Sequence, residues 1–203
     1  MWSLGESTNG FGVFGTSDNN VGIFGTSSGG PAGKFVGNVE VTGNLAVTGD
    51  INCQETSKIT CFDVNLIGRD CAEDFDVVDE NGVDPGTVMV IDNQGALLPS
   101  NKAYDRRVAG VISGAGECKP GIVLGKQRTP GNRKPIALVG KVYCKVDANH
   151  AAVEIGDLLT SSPTPGHAMK AEDPQKAFGA VIGKALRPLA AGQGLVPILV
   201  ALQ

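Results

Sequence analysis

The side chains best equipped for chemistry fall in a few short stretches. Tyr104-Asp105-Arg106-Arg107 joins a ring with a polar handle to a carboxylate and two guanidinium groups. Arginine offers a planar fork of donors that fits a carboxylate, so this quartet could set register between subunits or touch a receptor. The two histidines, His150 and His167, fall in neither an HxxxH nor an HExxH spacing, which excludes a helical zinc pair; they read as surface turn residues. Ser162, His167 and Asp173 supply the residue types of a hydrolase triad. No GxSxG elbow accompanies them, and Pro163 and Pro165 fix an extended turn in between.

Oxygen ligands of the kind Ca²⁺ prefers gather at Glu73, Asp74 and Asp76, with Asp79, Glu80 and Asp84 following. They lack the spacing of an EF-hand loop and read instead as a solvated edge that discourages strand pairing. Lys126, Arg128, Arg133 and Lys134, interrupted by Thr129-Pro130-Gly131-Asn132, read as a long exposed hairpin loop able to touch anionic glycans or a neighbouring subunit. The cysteines, Cys53, Cys61, Cys71, Cys118 and Cys144, are odd in number and show no CxxC spacing, so neither a zinc site nor a complete disulfide framework is encoded; they read as buried thiols. No catalytic, cofactor-binding or metal-binding residue is assigned, and the chain reads as a non-enzyme without a cofactor.

The elements that carry these residues are constrained by composition. In 203 residues there is room for one moderate domain and an extension. Glycine occupies 29 positions, while 7 Phe, 2 Tyr and 1 Trp are the whole aromatic supply, so any core must be mostly aliphatic. With 17 Lys and Arg against 21 Asp and Glu there is no basic stripe to neutralise phosphates, which argues against nucleic acid as a partner. No apolar run is long enough to span a bilayer, and Met1-Trp2-Ser3-Leu4-Gly5-Glu6 is unlike a secretory signal. Synthesis in the cytoplasm without a signal peptide, and no membrane insertion, are the expectations.

The first quarter repeats itself. Gly12-Val13-Phe14-Gly15-Thr16-Ser17 returns as Gly22-Ile23-Phe24-Gly25-Thr26-Ser27, each copy reading as a short strand closed by a turn. Beyond Pro31 the period becomes six: Gly37-Asn38-Val39-Glu40-Val41-Thr42, then Gly43-Asn44-Leu45-Ala46-Val47-Thr48, then Gly49-Asp50-Ile51-Asn52-Cys53. Strict alternation places Val39, Val41, Leu45, Val47, Ile51 and Cys53 on one face, with Glu40, Thr42, Asn44, Thr48, Asp50 and Asn52 opposite. So few hexads cannot enclose a β-helical core alone. The pattern predicts a trimeric shaft over 1–53, in which three chains share the apolar row and Val39, Val41, Leu45, Val47 and Ile51 form the interface. The alternative is a strand pair folded onto the C-terminal domain.

Residues 54–72 read as a neck, and 73–203 as an all-β domain. Strands are expected at Phe75–Val78, Thr87–Ile91, Arg107–Ser113, Gly121–Leu124, Ile136–Val146, Leu158–Thr160, Ala168–Ala171, Phe178–Leu186 and Leu195–Leu202, with turns at Asn81-Gly82, Asp84-Pro85-Gly86 and Asn93-Gln94-Gly95. Around Asp173-Pro174-Gln175-Lys176-Ala177 a single helical turn is the most the pattern permits. Such spacing suggests a small barrel or sandwich.

The strings Asp157-Leu158-Leu159-Thr160-Ser161-Ser162-Pro163-Thr164-Pro165-Gly166-His167-Ala168-Met169-Lys170, Gly179-Ala180-Val181-Ile182-Gly183-Lys184-Ala185-Leu186 and Val196-Pro197-Ile198-Leu199-Val200-Ala201-Leu202-Gln203 resemble the C-terminal domain of phage and phage-like tail fibre proteins. Tyr104 to Ser113 is similar too, and the resemblance covers Asp74 to Gln203. The upstream repeats look like the thin trimeric shafts that accompany such domains. The resemblance implies a homotrimeric structural protein of a virion or extracellular particle. Its partners would be itself, other fibre, baseplate or filament subunits, and a cell-surface glycan or protein. The other readings are a filament or injection-particle subunit without a receptor role, and a self-cleaving fibre end, for which Ser113, Ser161 and Ser162 are the nucleophile types at hand. Only Trp2, Tyr104 and Tyr143 could present an indole or phenol to a sugar, so an aromatic-rich sugar groove is not encoded.

Overall fold

The computed structural model describes residues 17–18, 21, 23–54, 57–78, 83–126 and 132–201. The chain divides into two units, Met1–Thr60 and Cys61–Gln203. No strand forms in the described part of the first unit, and its residues are exposed throughout. The hexads therefore have the alternation of strands but not their hydrogen bonds. A strand without a neighbour leaves every ladder N–H and C=O to water, and among the described residues no segment pairs with the hexads. The first Phe-containing repeat lies outside the described residues apart from Ser17; the second, described from Ile23, is likewise extended and open.

The second unit is the all-β domain expected. Its strands are β1 (Asp70–Asp76), β2 (Val88–Ile91), β3 (Leu97–Pro99), β4 (Val108–Ile112), β5 (Pro120–Leu124), β6 (Arg133–Asp147), β7 (Leu158–Ser161), β8 (Ala168–Lys170), β9 (Val181–Ala185) and β10 (Gln193–Ala201). A single helical turn, α1 (Pro174–Ala177), separates β8 from β9. Five strands close a barrel: β6 pairs with β10, β10 with β9, β9 with β7, β7 with β8, and β8 returns in parallel to β6 through Val146 and Ala168. Closure leaves the barrel strands without a free edge, the usual route to unwanted pairing, while β3 and β5 each pair with one strand only.

Alternation in the two longest strands decides what fills the barrel. Val142, Cys144 and Val146 of β6 and Val196, Ile198 and Val200 of β10 point inward and are buried, joined by Leu159, Ala168, Ile182 and Ala185. A second aliphatic cluster, Val77, Val83, Met89, Leu97, Ile112 and Ile136, sits beneath the β2, β3 and β4 strands. Among the described residues no aromatic ring is fully buried, as the composition required. The β6 strand serves both clusters by turning at Gly140, where φ is +116° and a Cβ would meet the Arg69 carbonyl oxygen at 2.5 Å.

Turn chemistry matches the residues. Asp92 Oδ1 accepts the N–H groups of Gln94 and Ala96, and Gly95 takes φ +87°, which closes the β2–β3 hairpin. Thr87 donates its N–H to Asp84 O across Pro85-Gly86. The β3 strand is not among those expected, and two further features differ from expectation. The β1 strand begins at Asp70, inside the stretch read as neck, because Asp70 and Cys71 pair with Gly140 and Val139. The connection from β5 to β6 is not a hairpin: β1 lies between them, parallel to β5 and antiparallel to β6. Positions 127–131 of that connection, with Arg128, lie outside the described residues, while Arg133 and Lys134 are strand residues of β6.

Candidate functional site

The Tyr104 quartet occupies the connection from β3 to β4. Tyr104 has φ +54°, the left-handed region, and is the only non-glycine there among the described residues. For a bulky side chain this backbone is an outlier that neighbouring bonds must hold. They do so from three directions. The Tyr104 N–H donates to Ser161 O at 3.1 Å, the Asp105 N–H donates to Ser161 Oγ at 2.8 Å, and the Tyr104 hydroxyl accepts the N–H groups of Glu172 and Asp173, each at 3.0 Å.

Asp105 is buried and is engaged inside its own loop. Its Oδ1 accepts the Arg107 N–H at 3.0 Å and Nε at 3.2 Å, and its Oδ2 accepts Nη2 at 2.9 Å. The hydrogen bonds from the Arg107 side chain hold the Asp105 carboxyl below the usual carboxylate range, against the opposing effect of burial. Arg106 points elsewhere and makes no ion pair or side-chain hydrogen bond among the described residues.

Across from this loop stands α1. Asp173 caps it, accepting the N–H groups of Gln175 at 3.0 Å and Lys176 at 3.3 Å, and Pro174 opens its first turn. The Lys176 ammonium lies 3.2 Å from Asp173 Oδ2 and 5.9 Å from the centre of the Tyr104 ring. Between the loop and the helical turn is a cavity of about 480 Å³ lined by Lys102, Ala103, Tyr104, Arg106, Gln175 and Lys176. The sequence shows Tyr104 and Arg106 as a cluster but gives no sign that Lys102, Gln175 or Lys176 join them. The two segments are some seventy positions apart, and no local spacing signals that they meet.

The remaining chemistry-bearing residues are dispersed. Ser162 is buried with Oγ accepting the Thr164 N–H at 3.1 Å, His167 Nδ1 is 2.7 Å from Pro165 O, and Asp173 caps α1, so these residues form no relay. Ser161 accepts from Asp105, and Ser113 donates to Asp70 Oδ1 at 3.0 Å in a buried pair. Burial raises the Asp70 carboxyl above its ordinary range, partly opposed by that hydrogen bond. Asp147 is buried yet well served: Thr164 Oγ1 at 2.6 Å, the Asn149 N–H at 2.9 Å and Gln193 Nε2 at 3.3 Å keep it below the usual range, with the Thr164 bond the largest effect.

In the acidic stretch, Asp76 lies 3.6 Å from Arg133 and Asp84 lies 3.8 Å from Lys145. Among the described residues no three His, Cys, Asp or Glu side chains converge as metal ligands would. Cys118 and Cys144 are buried as expected, Cys71 is partly so, and Cys53 and Cys61 are exposed, which departs from the reading of buried thiols. Both exposed cysteines lie outside the barrel, in segments where this single chain offers nothing to cover them. In the first unit the apolar row is open: Val39, Val41, Leu45, Val47 and Ile51 are 47 to 71% exposed.

The chain has a counterpart in fold in a bacteriophage protein. Its fold is similar to the crystal structure of the pre-mature bacteriophage phi29 gene product 12, with a TM-score of 0.53 and 15% identity over 72% of this chain. The match takes in 24% of the phage protein, so this chain spans about a quarter of its length. The head fiber gp8.5 N base of the same phage aligns over 66% of this chain and 90% of that one at 16% identity and a TM-score of 0.29, too loose a fit to inform the fold. No family model and no curated protein sequence matches. Among the described residues no helix is long and apolar enough to cross a membrane.

Proposed function

We propose that this chain is a structural protein of a phage fibre or fibre-like particle. It acts as a homotrimer, with 1–53 as shaft, 54–72 as neck and 73–203 as the end domain that meets a cell surface. The observation that carries the reading is the apolar row of the hexads. Val39, Val41, Leu45, Val47 and Ile51 recur in strand register between glycines and lie open to water in the single chain. Burying such side chains is worth up to about 2 kcal/mol each, and three chains around an axis bury all of them at once. The likeness in fold to part of a phage gene product supports the same setting.

In this reading the protein does no catalysis and takes no cofactor. It works as a rigid connector within a virion or extracellular particle, joined to other fibre, baseplate or filament subunits. A second reading, a filament subunit without a receptor role, is favoured by the apolar outer face of the sheet, where Ile122, Leu124 and Val139 are exposed. A glycan array probed with the full chain separates the two. Saturable binding to cell-surface glycans supports attachment, whereas end-to-end polymer growth with no glycan bound overturns it in favour of the filament.

A further inference from the structure

The cavity beside Tyr104 brings together three cationic side chains, an amide and an aromatic ring. Its volume, about 480 Å³, lies within the range of small-ligand sites. Lys102 and Arg106 line it, and neither has an ion pair among the described residues. Lys176 adds a third cation, shared with Asp173. Two of the nearby carboxylates are already engaged: Asp105 is buried against Arg107, and Asp173 is held by Lys176 and two backbone N–H groups; the third, Glu172, is exposed at the approach to α1.

The ring of Tyr104 supplies an apolar wall, and Gln175 supplies an amide that both donates and accepts. The Tyr104 hydroxyl accepts two backbone N–H bonds, and none of its bonds among the described residues uses its own proton, which remains available to donate. The two hydrogen bonds accepted by the Tyr104 hydroxyl hold the ring in place before any ligand arrives, so little ordering remains for binding to require.

We propose that this cavity is a subsite for one sugar unit bearing an oxyanion, either a phosphate ester or a carboxylate. The oxyanion lies between Lys102 and Arg106, where the guanidinium can take two of its oxygens, and Lys176 lends further charge. The pyranose face packs on Tyr104 and a ring hydroxyl meets Gln175. A neutral sugar would leave two cations without a counter-charge and gains little. A nucleic acid would need a longer basic track and more rings than this one site offers. The subsite rests on the attachment reading, for which it names the ligand class.

The test is isothermal titration calorimetry on the full chain at low salt, with glucuronate, glucose 6-phosphate and glucose as probes. Saturable heat is expected from at least one charged sugar and none from glucose, and the preference between the first two identifies the oxyanion. Lys102→Ala with Arg106→Ala, both exposed side chains, should weaken binding at least about tenfold, equivalent to about 1.4 kcal/mol. Lys176→Ala, judged beside its unfolding curve, should weaken it by a smaller factor. Absence of saturable heat, equal affinity for glucose, an unaffected double variant, or tighter binding of an acidic peptide than of either charged sugar would overturn the subsite. Calorimetric binding with a blank glycan array removes the attachment role and keeps the subsite; array binding that survives the double variant does the reverse.

Discussion

The hydroxyl of Tyr104 accepts the backbone N–H of Asp173 at 3.0 Å, joining residues 69 positions apart. The same oxygen takes the N–H of Glu172, so one side chain anchors the approach to α1 on the β3–β4 connection. Tyr104→Phe keeps the ring and removes both acceptor interactions. About 1–2 kcal/mol of stability should be lost, since the freed N–H groups are only partly shielded from water. Urea unfolding monitored by circular dichroism measures it; an unchanged midpoint would mean that the loop is held by Ser161 alone.

Asp70 makes a different kind of claim. Its Oδ1 accepts from Ser113 while its buried Oδ2 has no partner among the described residues, and burial raises its carboxyl above the ordinary value of 3.8. A raised carboxyl binds its proton more tightly when folded, so its contribution is fully present below pH 3.8 and is lost as pH rises through the folded value. Asp105, Asp147 and Asp173 act in the opposite direction: their carboxyls are lowered, and their stabilisation is lost as pH falls through their folded values. Comparing Asp70→Asn with the native chain from pH 3 to 7 cancels these shared effects. The native chain should become progressively less stable relative to the variant as pH rises; a difference that does not vary with pH would contradict the assignment.

Gly183 of β9 lies so close to β10 that an added Cβ would run into the Leu199 carbonyl. Gly183→Ala should therefore open the barrel seam and cost more than about 3 kcal/mol, whereas Gly49→Ala, where a Cβ would meet nothing within 4 Å, should leave barrel stability unchanged. Thermal melts of the two variants decide the point, and similar melts for both would contradict the packing described for β9 and β10.

The thiols report on burial and on assembly together. Burial pushes the Cys144 thiol up to about 12, so it should resist an aromatic disulfide reagent at pH 8 until the barrel unfolds, as should buried Cys118. Cys61 should react at once. Cys53 continues the apolar row and is exposed in the single chain, so in the assembled trimer it should be protected and in a dissociated chain reactive. Reaction of Cys53 as fast as Cys61 in the native protein would speak against a shared core.

How much was legible in the sequence depended on whether a signal was local. The strands β2 and β4 to β10 announced themselves as apolar runs between turn signals, and the turns at Asp84-Pro85-Gly86 and Asn93-Gln94-Gly95 through residues that set their own backbone. The three-residue β3 strand was missed because it is too short to show a period. Barrel closure rests on the Val146 to Ala168 pairing, a single parallel bridge that no pattern encodes. The insertion of β1 between β5 and β6 is equally non-local and turned an expected hairpin into a crossover. At the candidate site Tyr104 and Arg106 were visible as a cluster, but Lys176 and Gln175 arrive through the fold. The hexads are the reverse case: their periodicity is plain, yet among the described residues they form no strand.

Sedimentation equilibrium of the full chain, beside the Val41→Asp, Val47→Asp double variant, shows whether three chains share the apolar row. A homotrimeric shaft predicts a native mass of about three times the 20.8 kDa chain. It also predicts dissociation of the variant toward the single-chain mass, because unpaired carboxylates would be forced into the shared apolar row. A native protein that sediments as one 20.8 kDa chain, or a trimer whose mass the two aspartates leave unchanged, would contradict it.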